Sequence, residues 1–257
     1  MNKNLVRQWI NVLLVIATIV VNALANIIPF NGKNTGAISD QFHVYFVPAG
    51  YVFAIWGLIY IGLMTFGVYQ ALPAQREIPR LRSVDGFFIL ASLANILWLF
   101  LWHFEQFVGT LAVMLVLLAA LIAIYMRLGI GKTKVSKTET WLVRVPFSIY
   151  LGWITVATIA NVTEVLDYLK WNGFGIAPEA WMLIILGVVF IIATLMNLTR
   201  RDIAYAMVIL WALLGIVVRQ SGVVLVANAT RWTAAAVAVT LAIGLFLPKA
   251  LFSPKKP

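Results

Sequence analysis

The feature that most constrains this chain is a series of apolar runs, each roughly 20 residues long and separated by short polar breaks. A run of that length matches the hydrocarbon thickness of a bilayer, where an α-helix satisfies its own backbone hydrogen bonds. The composition agrees, because 63% of the residues are hydrophobic and 11% are charged, with a mean hydropathy of +0.96. We therefore predict an all-α fold: a polytopic membrane helix bundle of about eight transmembrane helices.

Basic residues provide a test of this count, because Lys and Arg favour cytoplasmic loops. The predicted helices cover residues 9–28, 51–72, 86–103, 108–125, 141–165, 180–198, 203–218 and 232–246. With both termini in the cytoplasm, 15 of the 19 basic residues lie on that side, and the other four are Lys33, Lys170, Arg219 and Arg231. We therefore interpret the net charge of +10 as membrane topology and expect no nucleic-acid site.

The second predicted helix begins with an aromatic segment. A Pro-Ala-Gly turn at residues 48–50 leads into it, and Phe53, Trp56 and Tyr60 follow at steps of three and four. That spacing places the three rings on one helix face. The preceding loop, residues 30–47, is rich in aromatic residues and is predicted to form an ordered, partly apolar flap.

A second face of interest lies on the fifth predicted helix. Tyr150, Trp153, Ala157 and Asn161 are spaced by three and four residues, so an aromatic pair, a small residue and an amide share one stripe. Such a stripe could form one wall of a pocket for a flat ligand. The alternative is close helix packing through small residues such as Gly152, and both readings can hold together.

The chain has ten Trp residues, which fall into three groups. Trp56, Trp98 and Trp153 lie inside helices, where a ligand cavity and simple packing both remain open. Trp102 and Trp211 are assigned to packing. The other five lie near helix ends, where an interfacial aromatic belt explains them: Trp9, Trp141, Trp171, Trp181 and Trp232.

The sequence gives little support for a metal site or a catalytic site. The chain has no Cys, and its two histidines, His43 and His103, supply too few ligands for a metal site. Haem ligation by His43 is the alternative for that residue. No Walker, HExxH or GxSxG pattern occurs, so we predict no catalytic residues. Arg219 is expected to form a salt bridge with an acidic residue of the outer side.

Three motifs together resemble a known family. They are Pro-x-Gly-Tyr-Val-Phe-x-x-Trp-x-x-x-Tyr at residues 48–60, Asn-x-x-Trp at 95–98, and Tyr-x-x-Trp-x-x-x-Ala-Thr-x-x-Asn at 150–161. In order and spacing they are similar to the signatures of the TspO/MBR family, the tryptophan-rich sensory proteins that include the mitochondrial translocator protein. The resemblance implies a five-helix bundle whose pocket lies beneath the loop between helices 1 and 2 and binds porphyrins or other flat apolar molecules.

The resemblance also implies which residues bind the ligand. The matching positions are Tyr51, Trp56, Trp98, Trp153, Ala157 and Asn161, with Tyr51 where the family usually has Trp. In some members the residues matching Trp56 and Trp153 are tied to light-dependent porphyrin breakdown. No cofactor is required, and porphyrin or haem is expected as a ligand. The chain departs from the family pattern at Ala54 and Ile55, where Gly and Pro are usual.

These observations predict two regions, a TspO-like five-helix core at residues 1–166 and a three-helix C-terminal extension at residues 167–257. The predicted function is a membrane sensor or carrier for a tetrapyrrole or other flat hydrophobic ligand. The alternative is a small-solute or lipid transporter without tetrapyrrole specificity. The expected partners are the hydrophobic ligand, the lipid bilayer and a second copy of the chain, and the expected location is the plasma (inner) membrane.

Overall fold

Eight long helices make up most of the described chain. The structure is a computed structural model that describes residues 3–28, 30–246 and 248, and these residues include no β-strand. We label the helices α1 to α8 in chain order: Lys3–Ile27, Ile55–Ala71, Asp85–His103, Phe107–Arg127, Val145–Tyr168, Pro178–Thr199, Ile203–Arg219 and Val224–Phe246. The predicted all-α bundle is confirmed.

Helix length agrees with membrane crossing. Within the described residues, seven helical segments are long and apolar enough to span a bilayer. Two of these include short turns before the main helix, so that the α2 segment starts at Gly50 and the α5 segment at Lys137. The eighth helix, α7, is apolar but has 17 residues. At 1.5 Å per residue it is about 26 Å long, slightly less than the roughly 30 Å of a hydrocarbon core.

Helix α8 begins at Val224, so its predicted start at residue 232 was wrong. Val226, Ala227 and Thr230 are buried, so the apolar stripe of the helix extends through this segment. Asn228 and Arg231 are both exposed, and their side chains are joined by a hydrogen bond of 2.7 Å. Residues three apart lie on one face of a helix, so these two side chains form the polar face of the first turns of α8.

Helix α1 also begins earlier than predicted, at Lys3. Its first turns carry polar side chains that are satisfied by neighbouring segments. The Gln8 side chain donates to the backbone carbonyl of Gln70 at 2.5 Å, and Gln70 donates back to the carbonyl of Gln8 at 3.0 Å. Asn11 donates to the carboxylate of Asp85 at 2.8 Å. These hydrogen bonds satisfy the polar side chains near the N-terminus of α1, where hydropathy alone predicts a later start of the helix.

Helix α5 is the central element of the bundle. It packs against α2, α4 and α7, while α1 packs against α2 and α3, and α3 forms a hairpin with α4. Gly152 permits the close approach of α7, since a Cβ atom there would lie 3.1 Å from Cβ of Val208. The packing alternative predicted for Gly152 is thus confirmed. Helices α6 and α8 pack against each other and on α7.

One end of α7 is anchored by the buried carboxylate of Asp202. Tyr125 of α4 donates to Asp202 Oδ2 at 2.8 Å, and Ser148 of α5 donates to the same atom at 2.6 Å. Asp202 Oδ1 accepts the backbone N–H of Tyr205 at 3.1 Å, which caps the helix. A single side chain therefore joins three helices.

The loop after α1 is an ordered lid, which we define as residues 30–49. It contains the short helix Thr35–Ser39, whose N-terminus is capped by Asn34. Ile38, Phe42 and Phe46 point into the core and are buried. The predicted ordered, partly apolar flap is confirmed.

Acidic residues of the surrounding helices hold the lid. Glu164 accepts a hydrogen bond from Ser39, Asp167 accepts one from the backbone N–H of His43, and Glu179 accepts one from Tyr45. The hydrogen bond to the Glu179 carboxylate raises the pKa of Tyr45, because it stabilises the protonated phenol. Lys33 of the lid also pairs with Glu105 at 2.9 Å.

The C-terminal end of α7 holds the same lid from another side. Arg219 forms a salt bridge with Asp40, as predicted, and Gln220 donates to the backbone carbonyl of Tyr45 at 3.1 Å. The backbone N–H of Ala49 donates to the carbonyl of Gly215 at 3.1 Å. The two predicted regions are therefore joined at both ends of α7, and their division at residue 166 stays a prediction.

We expect the Arg219→Ala change to loosen the lid with little effect on global stability. The side chains of Arg219 and Asp40 are 27% and 53% exposed, so solvent screens the pair and it contributes at most about 1 kcal/mol. Hydrogen exchange should become faster at residues 40–46, while the thermal midpoint changes little. Arg231→Ala is the matched control, because Arg231 bonds Asn228 of its own helix. Equal exchange in both variants would show that the other tethers alone order the lid.

Candidate ligand cavity

A cavity of about 640 Å³ lies between α1, α2, α3 and the lid. Its size falls within the range of about 300 to 1,000 Å³ that is usual for ligand pockets. Helix α2 supplies its aromatic wall through the face predicted from the sequence. The lining residues are Asn22, Ala23, Asn26, Ile27, Asn34, Thr35, Gly36, Ala37, Asp40, Gly50, Phe53, Ala54, Trp56, Gly57, Tyr60, Trp98 and Leu99.

An inner chamber of about 40 Å³ lies beside this cavity, toward α5. The two spaces share Thr35, Phe53, Trp56 and Trp98 in their linings, so one aromatic wall serves both. The complete lining of the inner chamber is Thr35, Ser39, Pro48, Phe53, Trp56, Trp98, Trp102, Trp153, Val156, Ala157, Ala160, Asn161 and Glu164. Six of these belong to one face of α5.

Aromatic rings pack tightly around both spaces. Trp56 stacks on Tyr60 with ring centroids 5.7 Å apart and meets Trp153 edge to face at 6.3 Å. Phe53 also meets Trp153 edge to face, at 5.7 Å. Trp98 stacks on Trp102 at 5.3 Å. Because each ring is held by another, the wall is pre-organised for a planar ligand.

A buried hydrogen-bond chain fixes the orientation of Trp98. Its indole N–H donates to Oδ1 of Asn161 at 3.2 Å, and the amide of Asn161 donates to Oγ1 of Thr110 at 3.0 Å. On the α1 side, Asn22 donates to Oδ1 of Asn95 at 2.9 Å. The amides of α1, α3 and α5 thus face the bundle interior and are largely engaged with one another.

Two buried polar atoms of the wall have no hydrogen-bond partner among the described residues. They are the hydroxyl of Tyr60, which belongs to the larger cavity, and the indole Nε1 of Trp153, which belongs to the inner chamber. Burying such a group without a partner is unfavourable. Each can form its missing hydrogen bond with a bound molecule, so the wall offers specific polar contacts in addition to apolar surface.

The charged residues of the two linings are both acidic, Asp40 and Glu164. Neither His43 nor His103 lines either space, and no cluster of three metal-ligating side chains occurs in the part of the chain that the structure describes. His103 is buried and its Nδ1 lies 2.9 Å from the carbonyl of Leu99. The haem-ligand alternative for His43 is therefore not supported by its position.

The structure brings together five of the six predicted site residues. Trp56 and Trp98 line both spaces, and Trp153, Ala157 and Asn161 line the inner chamber. Tyr51 lies apart: its side chain is 49% exposed, and its ring contacts Trp211 at 5.5 Å. Tyr51 belongs to the short turn at residues 50–54 that precedes α2, and its side chain is not part of either lining.

Sequence reasoning missed several lining residues. Trp102, assigned to packing alone, lies four residues after Trp98 on the same face, and Glu164 lies three residues after Asn161. Helical spacing could have found both. Ser39 and Thr35 belong to the lid, where no periodic signal exists, and only the folded chain shows their position.

Comparison with known proteins agrees with this architecture. A family model described as TSPO-like protein matches residues 8–247, which include the three C-terminal helices as well as the five that carry the motifs. Searches of curated proteins and of solved structures found no match to the chain. Since the family model covers nearly the whole chain, this multi-pass membrane protein belongs to the TSPO-like family.

Proposed function

We propose that this protein binds a tetrapyrrole or another flat hydrophobic molecule in the cavity beneath its lid and acts as a membrane sensor or carrier. Membership of the TSPO-like family supports a sensory or ligand-binding role in a membrane in general. The observation that carries the proposal is the convergence of Trp56, Trp98 and Trp153 on two adjacent spaces that share part of their lining. Flat ligands gain from stacking on such rings, and a few polar atoms set their orientation.

The shape of the site fits this ligand class. The rings on α2 and α3 are paired by stacking, so they present extended flat surfaces. The unpartnered Tyr60 hydroxyl lies in the lining of the larger cavity, and the unpartnered Trp153 N–H lies in that of the inner chamber. A ligand that covers these atoms would remove an unfavourable burial in the free protein. A location in the plasma (inner) membrane and pairing with a second copy stay predictions.

The Trp56→Ala, Trp153→Ala double variant should bind protoporphyrin about tenfold more weakly or worse, because two lost aromatic contacts remove about 1 to 3 kcal/mol of stacking. The measurement is quenching of Trp fluorescence as protoporphyrin is added to purified protein. The matched control is Trp141→Ala, Trp232→Ala, since these rings are 68% and 76% exposed and lie outside both spaces. This control variant has the same number of Trp residues as the Trp56→Ala, Trp153→Ala variant. The same affinity in wild type and both variants would refute binding in this cavity.

A further inference from the structure

We propose that the carboxyl group of Glu164 recognises the polar end of the ligand. The inner chamber accepts an amine, an amide N–H or a hydroxyl at that end of the ligand and rejects a carboxylate. This inference rests on the proposed function and adds the chemistry by which ligands are distinguished. It assigns Glu164 a specificity role in addition to its contact with the lid.

Glu164 is buried in the wall of the site. Its residue surface is 4% exposed, and it lines the inner chamber beside Asn161. In the described part of the chain its one hydrogen bond is with Ser39, whose hydroxyl donates to Oε1 at 2.6 Å. A carboxyl group can accept several hydrogen bonds, and a buried one is stabilised by each that it gains. Glu164 therefore has acceptor capacity left for a ligand.

The neighbouring polar groups have much less capacity to spare. Asn161 accepts from Trp98 through its oxygen and donates to Thr110 through its amide. Asp40 lines only the larger cavity and is paired with Arg219. Glu164 is thus the acceptor of the inner chamber that a ligand donor can reach without breaking an ion pair.

The charge of the lining residues determines that the site prefers an amine to a carboxylate at the inner end of the ligand. No Lys or Arg lines either space in the described residues, and the formal charges present are those of Asp40 and Glu164. A carboxylate at the inner end of a ligand would lose its hydration and find no Lys or Arg in the lining to pair with. It would also face a buried acidic group, and such like-charge contacts are a common means of excluding wrong ligands.

Helical geometry places this acceptor at one end of the chamber. Trp153 and Glu164 are 11 residues apart on α5, which is close to three turns, so both face the chamber at levels roughly 16 Å apart. Glu164 is the member next to the lid, through Ser39. The chamber has room only for a small group, so a flat ligand can stack on Trp56 and Trp98 in the larger cavity while a donor group at its lid end enters the chamber and meets Glu164.

The competing explanation is that Glu164 serves only to hold the lid closed. A lid tether affects the affinity of every ligand by the same factor, whatever its end group. A recognition group changes the ratio of affinities between ligands that differ only at that end. The ratio is therefore the quantity to measure.

The test uses three probes with one flat ring system: pyrene, 1-pyrenemethylamine and 1-pyrenecarboxylate. Binding to the purified full-length protein at pH 8 is followed by energy transfer from Trp. We expect the amine to bind wild type about tenfold or more tighter than the carboxylate, as for sites built around a buried polar partner. Glu164→Gln should reduce this ratio to about twofold, since the amide is neutral and both donates and accepts.

Two further variants separate recognition from lid closure. Asp167→Asn changes another lid tether on α5 but lies outside both linings, so it should keep the wild-type ratio. Ser39→Ala removes the partner of Glu164 and leaves the carboxyl group, so it should keep or increase the preference for the amine. Size-exclusion profiles and helical circular dichroism confirm that each variant is folded.

The possible results have distinct meanings. If pyrene binds wild type, depends on Trp56 and Trp153, and the amine and carboxylate bind equally, the recognition role is refuted while the proposed function stands. If Glu164→Gln weakens both end groups by one factor, Glu164 is a lid tether only and the inference is also refuted. If none of the probes binds and protoporphyrin does not bind either, the proposed function itself fails.

Discussion

Replacement of Gly215 by leucine is expected to destabilise the protein strongly. A Cβ atom at this position of α7 would overlap Cγ2 of Val52 and would lie 3.1 Å from Cβ of Pro48. Val52 is fully buried and β-branched, so its side chain has little freedom to move aside. Helix α7 would have to move away from the lid and from the start of α2.

That movement breaks polar contacts as well as packing. The carbonyl of Gly215 accepts the N–H of Ala49, and the indole of Trp211 donates to the carbonyl of Val52 at 3.1 Å. Overpacking of a core usually costs about 1 to 3 kcal/mol, and each lost hydrogen bond adds about 1 kcal/mol, so the expected loss is about 3 to 5 kcal/mol. Pyrene and protoporphyrin affinity should fall too, because the lid and the α2 aromatic face both shift.

The measurement is unfolding in mixed micelles together with the quenching titration. Gly187→Ala is the control, since no atom lies within 4 Å of a Cβ built at that position of α6. It should leave stability unchanged or raise it by up to about 1 kcal/mol through better helix propensity. If Gly215→Leu unfolded at the same denaturant concentration as wild type, the close contact between α7 and the lid would not be part of the folded protein.

Removal of the Asp202 carboxylate should have a comparably large effect on stability. The Asp202→Ala change leaves the buried hydroxyls of Tyr125 and Ser148 without their acceptor and removes the cap of α7. Each of the two unsatisfied buried groups costs about 1 to 3 kcal/mol and a lost cap about 1 kcal/mol, so the expected destabilisation is about 3 to 7 kcal/mol. Thermal unfolding of the purified protein provides the measurement.

The Asp202→Asn variant is the comparison that separates the hydrogen bonds of Asp202 from its charge. Asparagine keeps one acceptor oxygen, which can cap the helix while the amide NH2 donates to a hydroxyl oxygen, so it should cost clearly less than alanine. If both substitutions had the same effect, the loss would be due to the charge of Asp202 and not to its hydrogen bonds. Ligand affinity should change little in either variant that remains folded, because Asp202 lies outside both linings.

Much of the fold could be predicted from the sequence because membrane helices obey a simple length rule. Runs of apolar residues identified all eight helices, and steps of three and four placed Trp56 and Trp153 on faces that meet. These are local properties, since a helix fixes the relative direction of its own side chains. The positions where hydropathy is weak were less certain, as the early start of α8 at Val224 shows.

What the sequence could not supply is the long-range contacts that complete the site. Ser39 meets Glu164 across 125 residues, and no local pattern links them. Tyr51 matched a family position by motif alone, yet its ring lies against Trp211, which is 160 residues away in the chain. Such partners depend on how helices pack, and helix packing is decided by the whole bundle.

The contacts between Asp40 and Arg219 and between Tyr45 and Gln220 span 179 and 175 residues. During synthesis the chain emerges from its N-terminus, so the segment after α1 is made long before the residues that fasten it. Pairings of such long sequence separation form late in folding. The lid over the candidate cavity is therefore expected to be among the last regions of the nascent protein to mature, and a chain released before α7 is inserted would lack two of the contacts that fasten it.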